Sequence, residues 1–308
     1  MIEKITRELK EKLKEAVKKN QAEGLLFSGG LDSGILAHLS PNIKAITVSF
    51  ESLGQDIKYA ERLAKYCKIE HYCKIVSTEE AIATIPHIIK ILKSFDPAVP
   101  NDITVYFGLK TAKDMDIETV MTGDGSDELF AGYSFMHNIQ NLEDYLKKIT
   151  LNMYFSSNIL GDFFNLKIKQ PYIDKEFIDF CLKLPCKLKI KEVNGKLIGK
   201  WILRKAFEDV LPEDVIWQDK RPLEVGSGTT KLRKIVASKI SDEEFEEAKK
   251  IYPVKFINKE HFYYYKIYRK EVGEVPQAIP EEEACPGCGA GLKRGGWHCR
   301  ICGWAKKI

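Results

Sequence analysis

The sequence predicts an α/β protein: a doubly wound parallel sheet, then a helical part, then a small C-terminal ribbon held by four cysteines. Three observations carry that expectation. Short apolar runs alternate with helical patterns from residue 24 to 122, the order that builds a parallel sheet covered on both faces. Two of those runs open directly into glycine turns, Ser28-Gly29-Gly30 and Gly123-Asp124-Gly125. Two Cys-x-x-Cys pairs close the chain.

Taken in order, Ile2, Ile5, Leu9, Leu13 and Val17 recur at helical spacing, so residues 1–20 form an amphipathic helix packed on the body. Acids mixed into its polar face argue against a basic membrane-surface helix. The pattern then predicts strand 24–28, helix 31–39, strand 44–50, helix 56–67, strand 69–76 and helix 79–93. A helix near 102–115 and a strand at 118–122 complete the sheet. From about residue 137 the β signals fade and helical periodicity dominates. Glu271 to Ala284 holds Pro276, Pro280 and three consecutive glutamates, and reads as a linker. The expected division is helix 1–20, main domain 21–272, linker 273–283 and ribbon 284–308.

Composition sets the class. The 308 residues are 44% hydrophobic and 30% charged, a globular balance with length to bury a core. No apolar run approaches the ~18 residues of a membrane span, and Met1-Ile2-Glu3-Lys4 is not a signal peptide. A cytoplasmic protein with no membrane partner is the expectation. The net charge of +4 selects no partner by itself.

Ser28 to Ser33 reads Ser-Gly-Gly-Leu-Asp-Ser after the apolar Leu25-Leu26-Phe27 and before the helical Ile35, Leu36 and Leu39. Strand, glycine turn and helix N-terminus together make an anion cradle of free N–H groups. Ser28 and Ser33 add hydroxyls. Asp32 would repel a phosphate unless a divalent cation lay between them, so it implies Mg²⁺ on oxygen ligands. The loop resembles that of the PP-loop ATP pyrophosphatases, the adenine nucleotide α hydrolase-like fold, which split ATP between the α and β phosphates. The Gly-x-x-x-x-Gly-Lys motif of β–γ cleavage is absent.

A second segment narrows the resemblance. Thr122 to Tyr133 reads TGDGSDELFAGY and is similar to the SGEGSDELFGGY signature of asparagine synthetases and the related β-lactam synthetases. Thr47-Val48-Ser49-Phe50-Glu51, Pro171 to Phe177 and Gly199 to Arg204 with Leu211-Pro212 resemble further passages of that family in the same order. The likeness covers roughly residues 20 to 272, and Lys259 to Arg269 echoes a late aromatic helix of the family.

That resemblance implies roles. Ser28, Gly29, Gly30, Asp32 and Ser33 would hold the β and γ phosphates, with Asp32 and Asp127 on Mg²⁺. Leu26, Val48 and Gly123 would frame adenine and ribose. Lys200 would reach the α-phosphate and the acyl-adenylate, and Lys220 the pyrophosphate. Asp124 stands where the family usually has Glu, which keeps the charge on a shorter arm for a general base or for positioning the nucleophile. The implied activity is an ATP-dependent ligase that adenylates a small carboxylate, most simply aspartate. Family members carry a glutaminase with a cysteine after the initiator methionine, whereas this chain has Ile2 and only about twenty residues before the match. Free ammonia or a partner glutaminase subunit is then the expected nitrogen source.

Cys285, Cys288, Cys299 and Cys302 form two knuckles separated by ten residues. Four thiolates at this spacing make a closed tetrahedral Zn²⁺ site, a zinc ribbon that folds only with metal. Rubredoxin-like iron is the competing occupant, and His298 reads as a surface or supporting residue. Lys293, Arg294, Arg300, Lys306 and Lys307 with Trp297 and Trp304 suit contact with RNA such as tRNA. The alternative is a docking or dimerisation knob that would make a homodimer. An RNA-modifying PP-loop enzyme is the alternative function. Cys67, Cys73, Cys181 and Cys186 read as free buried thiols, and Phe262 to Arg269 as a core helix.

Overall fold

The computed structural model describes residues 1–51, 56–218 and 226–306. Helices and strands alternate as α1 (Ile2–Lys19), β1 (Gly24–Leu26), α2 (Leu31–Leu39), β2 (Lys44–Phe50), α3 (Asp56–Cys67), β3 (His71–Val76), α4 (Thr78–Leu92), α5 (Val99–Asp114) and β4 (Thr119–Met121). These elements agree with the sequence expectation in order and type. A five-stranded sheet runs β3-β2-β1-β4-β5, with the β1/β2, β1/β4 and β4/β5 pairs parallel. The last strand, β5 (Lys167–Lys169), lies in the mostly helical second part and was not read from the sequence. Its three residues are too short and too lysine-rich to show a period-2 apolar signal.

The helical part then supplies α6 (Ser126–Phe130), α7 (Leu142–Leu151), α8 (Ser156–Phe164), α9 (Lys175–Lys183), α10 (Cys186–Lys189), α11 (Trp201–Phe207) and α12 (Glu213–Ile216). It continues through α13 (Thr230–Ala237), α14 (Asp242–Ile251) and α15 (Lys259–Glu271). A hairpin, β6 (Lys191–Val193) with β7 (Lys196–Ile198), turns on Asn194-Gly195, both at positive φ. That dipeptide is a strong hairpin signal that helical periodicity had masked.

The chain forms two compact units. The first comprises Met1–Val48, Gln55–Lys74 and Gly108–Pro222. Its core joins Leu9 and Leu13 of α1 to Leu25, Ile35, Leu36, Ile202 and Leu203, all fully buried. Each such side chain contributes about 1.5–3 kcal/mol by leaving water, which explains why the apolar stripe of α1 is not a membrane face.

The second unit comprises Ser49–Gly54, Ile75–Phe107 and Leu223–Ile308. Phe95 stacks on His261 at 5.3 Å and meets Tyr265 and Tyr268 edge-on at 5.2 and 5.1 Å. Tyr264, Tyr265 and Tyr268 are buried, so the aromatic tract is core, as expected. Within the stretch read as linker, β8 (Glu282–Ala284) pairs antiparallel with β9 (Gly291–Lys293). Among the described residues no helix is long and apolar enough to cross a membrane.

Candidate active site and metal cluster

Strand order reverses at β1, so the carboxyl ends of β1 and β4 open side by side, where α/β sheets place ligands. The loop after β1 is the Ser28–Ser33 turn. Gly29 has φ +70°, and a Cβ there would come 2.5 Å from the Ala60 nitrogen, so only glycine fits. Gly30 precedes α2, whose first turn carries Asp32. The Ser28 hydroxyl lies 3.2 Å from the Ser33 hydroxyl and accepts the Gly30 N–H at 3.3 Å, which fixes the turn as a cradle.

The loop after β4 brings Asp127 against Asp32, and Lys200 joins them. Lys200 Nζ stands 2.6 Å from Asp32 Oδ2 and 2.8 Å from Asp127 Oδ1, with 3% of the lysine side chain exposed. Burial alone would lower the lysine pKa, but the two carboxylates more than offset it and the ammonium is held charged. Ser126 donates to Asp32 Oδ1 at 2.8 Å, and the Tyr172 hydroxyl donates to the Asp32 carbonyl at 3.0 Å. Lys200 has φ 56°, a left-handed backbone for a non-glycine residue, and its N–H bonds the Phe130 carbonyl at 2.9 Å. Such strain costs roughly 1–3 kcal/mol and persists where the surroundings over-determine it. Gly132 closes the pocket: a Cβ there would fall 2.0 Å from Asp127 Oδ1 and 2.3 Å from Lys200 Cε.

The donor set fits Mg²⁺. Two carboxylates converge on one point, a third oxygen donor is adjacent, and the two acids against one lysine leave a net negative charge where polyphosphate would lie.

Asp124 is placed differently. Its Oδ2 accepts from Thr122 Oγ1 at 2.6 Å, Ser157 Oγ at 2.7 Å and Gln170 Nε2 at 2.9 Å. Three donors on one oxygen tie the carboxylate to the loop and to the end of β5. Glu128, beside Asp127, is pushed up to about 7 by burial and by the neighbouring carboxylate. The Tyr133 hydroxyl donates to it at 3.0 Å.

Leu26 and Val48 both pack toward Gly108, and Gly123 lies beside the Asp32 Cβ. Lys220 lies outside the described residues. Arg204 was not singled out from sequence. It is buried, its Nε donates to the Gly199 carbonyl at 3.0 Å, and its Nη1 donates to the Ile216 carbonyl and to Gln218 O at 3.0 Å. It thereby fastens the segment after α12 to the peptide that carries Lys200. An arginine four residues after Lys200, on the apolar face of Leu203 and Ala206, was the available signal.

The four C-terminal cysteines converge as expected. All are buried, and their sulfurs lie within 4.8 Å of one another. Cys285 and Cys302 sulfurs are 3.6 Å apart, and those of Cys288 and Cys299 are 3.8 Å apart. Sulfurs at the corners of a tetrahedron with bonds of about 2.3 Å would be ~3.8 Å apart, so the cluster fits a tetrahedral metal. Hydrogen bonds among the clustered thiols push Cys299 down and Cys288 and Cys302 up. Both knuckles are bonded into the second unit. Phe95 N–H donates to Ile301 O at 2.7 Å, Lys255 N–H donates to Gly287 O at 2.8 Å, and His298 Nε2 lies 3.1 Å from Asp96 Oδ2. His298 is thus a surface residue that supports the ribbon.

Of the other thiols, Cys181 is buried and Cys67 and Cys186 are half-buried, but Cys73 is exposed, which corrects its reading as a buried thiol. It occupies β3, at one end of the strand order. Burial pushes the Cys67 thiol up to about 11, so it is not a reactive thiolate.

Comparison with known proteins matches residues 4–169 and 162–274 to a family model described as asparagine synthase. Asparagine synthetase B, glutamine-hydrolyzing, of Escherichia coli K12 is 27% identical over 312 residues, covering 91% of this chain and 55% of that protein. A probable glutamine-hydrolyzing asparagine synthetase of Dictyostelium discoideum is 26% identical, covering 80% and 51%. The chain spans about half the length of these curated relatives. Among solved structures, the U34-tRNA thiolase NcsA of Methanococcus maripaludis with its 4Fe-4S cluster matches at TM-score 0.37 and 15% identity, over 87% of this chain and 79% of that one.

Proposed function

The chain belongs to the asparagine synthase family, and from that premise we propose that it is an ATP-dependent ligase which adenylates a small carboxylate, most simply aspartate to give asparagine, with release of AMP and pyrophosphate. The observation that carries this reading is Lys200, charged and buried between Asp32 and Asp127 where two glycine turns meet. A preorganised cation there stabilises charge as it develops on the α-phosphate, first when the carboxylate attacks and again when nitrogen attacks the mixed anhydride.

Asp32 and Asp127 would hold Mg²⁺, which when bound neutralises phosphate charge as the α–β bond breaks. The Ser28–Ser33 cradle would orient the leaving pyrophosphate, with Lys220 contributing positive charge. Leu26, Val48 and Gly123 would frame adenine and ribose. Asp124, held by Thr122, Ser157 and Gln170, is suited to position the nucleophile's approach by fixing its loop. Nitrogen would come as free ammonia or from a glutaminase subunit.

A second reading is an RNA-modifying enzyme that grips tRNA with a Zn²⁺-bound ribbon. It is favoured by the Lys306 ammonium lying 5.7 Å from the Trp297 ring centre, with Lys293, Arg294 and Arg300 exposed on the same small module.

The deciding experiment follows α-³²P-ATP with aspartate plus ammonium, and separately with bulk tRNA. AMP and pyrophosphate formed with aspartate and ammonium support the ligase, whereas turnover with tRNA alone supports the second reading. ADP and orthophosphate would overturn both.

A further inference from the structure

Lys200 already neutralises the two acids suited to hold a metal. Its Nζ is within 2.8 Å of one oxygen from each acid of the pair suited to Mg²⁺. A metal held by both acids would lie close to the ammonium, and two cations that near in a site this buried repel each other strongly. The lysine backbone has little freedom to retreat. It is held in a left-handed conformation by the Phe130 carbonyl, and the Gly132 backbone closes against both Cε and Asp127. Only the side chain can swing, and it will do so only toward another anion.

We propose that Lys200 is a resident counter-ion which keeps free divalent metal off the Asp32–Asp127 pair until a nucleotide's phosphates draw the ammonium away. Metal and nucleotide then load together, each raising the affinity of the other. The apo protein keeps its buried acids neutralised without scavenging metal, and the lysine arrives at the α-phosphate by being displaced from the acids. This inference rests on reading the two glycine turns as a nucleotide-phosphate site.

The test is Mn²⁺ binding, followed by the EPR signal of the free ion, with and without a non-hydrolysable α,β-methylene ATP analogue. Wild-type protein alone should bind Mn²⁺ weakly, and the analogue should tighten binding about tenfold or more. Lys200→Met should bind Mn²⁺ tightly without any nucleotide and should gain thermal stability from it, since the metal replaces the missing charge. Tight Mn²⁺ binding by the wild-type protein without nucleotide would overturn the proposal, and that result does not depend on the variant folding. Binding that Lys200→Met leaves unchanged would overturn it as well. If the variant takes up Mn²⁺ alone but the analogue changes nothing in the wild type, the counter-ion role stands and the nucleotide reading falls.

Discussion

Lys200 Nζ donates to Asp32 Oδ2 at 2.6 Å across 168 residues of sequence. The pair joins the turn after β1 to the N-terminus of α11. Holding the charged ammonium beside the turn before substrate arrives leaves only a side-chain swing between the acids and the α-phosphate. Lys200→Ala should therefore slow the chemical step roughly a hundredfold or more. ATP affinity should change little. Single-turnover kinetics with ATP titration separates the two, and a large loss of affinity with intact chemistry would make Lys200 a binding group.

Asp32→Asn should abolish pyrophosphate release and leave the fold intact. One acid and Lys200 would remain as a balanced buried pair, so no unpaired charge is created. Thermal melts and a pyrophosphate assay check both halves, and near-normal turnover would mean that the metal ligands lie elsewhere.

Arg204→Met should cost about 2–4 kcal/mol, because it strands the Gly199, Ile216 and Gln218 carbonyls that the guanidinium satisfies. Arg204→Lys cannot span the three acceptors and should recover only part of that loss. Urea unfolding measures it, and a loss below the precision of such melts would remove the clamp from the account.

Glu128 gives a pH signature. Its folded-state pKa is raised from 4.5 to about 7 by burial and Asp127. Between those values the unfolded chain has released the proton that the folded chain still holds, so stability falls as pH rises through this window and levels off above it. The whole effect is about 3 kcal/mol. Glu128→Gln keeps an acceptor for the Tyr133 hydroxyl and should flatten the dependence, leaving the variant more stable than wild type at pH 8. Parallel slopes for the two proteins from pH 5 to 8 would refute the assignment.

Removing metal from the four cysteines should disturb more than the tail. Ile301 O accepts from Phe95 N–H, and Gly287 O from Lys255 N–H. Chelation should therefore lower the melting temperature and raise hydrogen exchange at residues 94–97 and near 255, in addition to 285–302. Exchange confined to the last residues would show the ribbon to be an independent module.

The sheet was legible because β1, β2 and β4 are apolar runs, two of them opening into glycine turns, a pattern set by burial on both faces. Asp32, Asp127 and Lys200 were legible by chemistry and by family likeness. Their mutual contact was not, because long-range pairing leaves no periodic trace. Asp124 shows the limit most clearly. Its residue type admits a base or an anchor alike, and only its three donors, two of them from Ser157 and Gln170, distinguish its surroundings. β5 was missed because two of its three residues are lysine and show no apolar alternation, and the β6–β7 hairpin because helical periodicity masked its Asn194-Gly195 turn. Arg204 was passed over because an arginine on a helix is ordinarily solvated, and here it is not.

The Ser94 hydroxyl donates to Ile301 O, a partner 207 residues later, and Phe95 bonds the same carbonyl. A ribosome adding roughly 5–20 residues per second needs about 10–40 s to cover that distance. For that interval the Ser94 hydroxyl and the Phe95 N–H have been made while the carbonyl they share has not, and the Phe95 ring itself waits for His261, Tyr265 and Tyr268. Nascent chains of this protein thus pass through a stage in which an aromatic surface waits for its lid. Holdase chaperones that engage exposed aromatic segments should be found on the chain during that stage, and should leave once α15 has packed on the Phe95 ring.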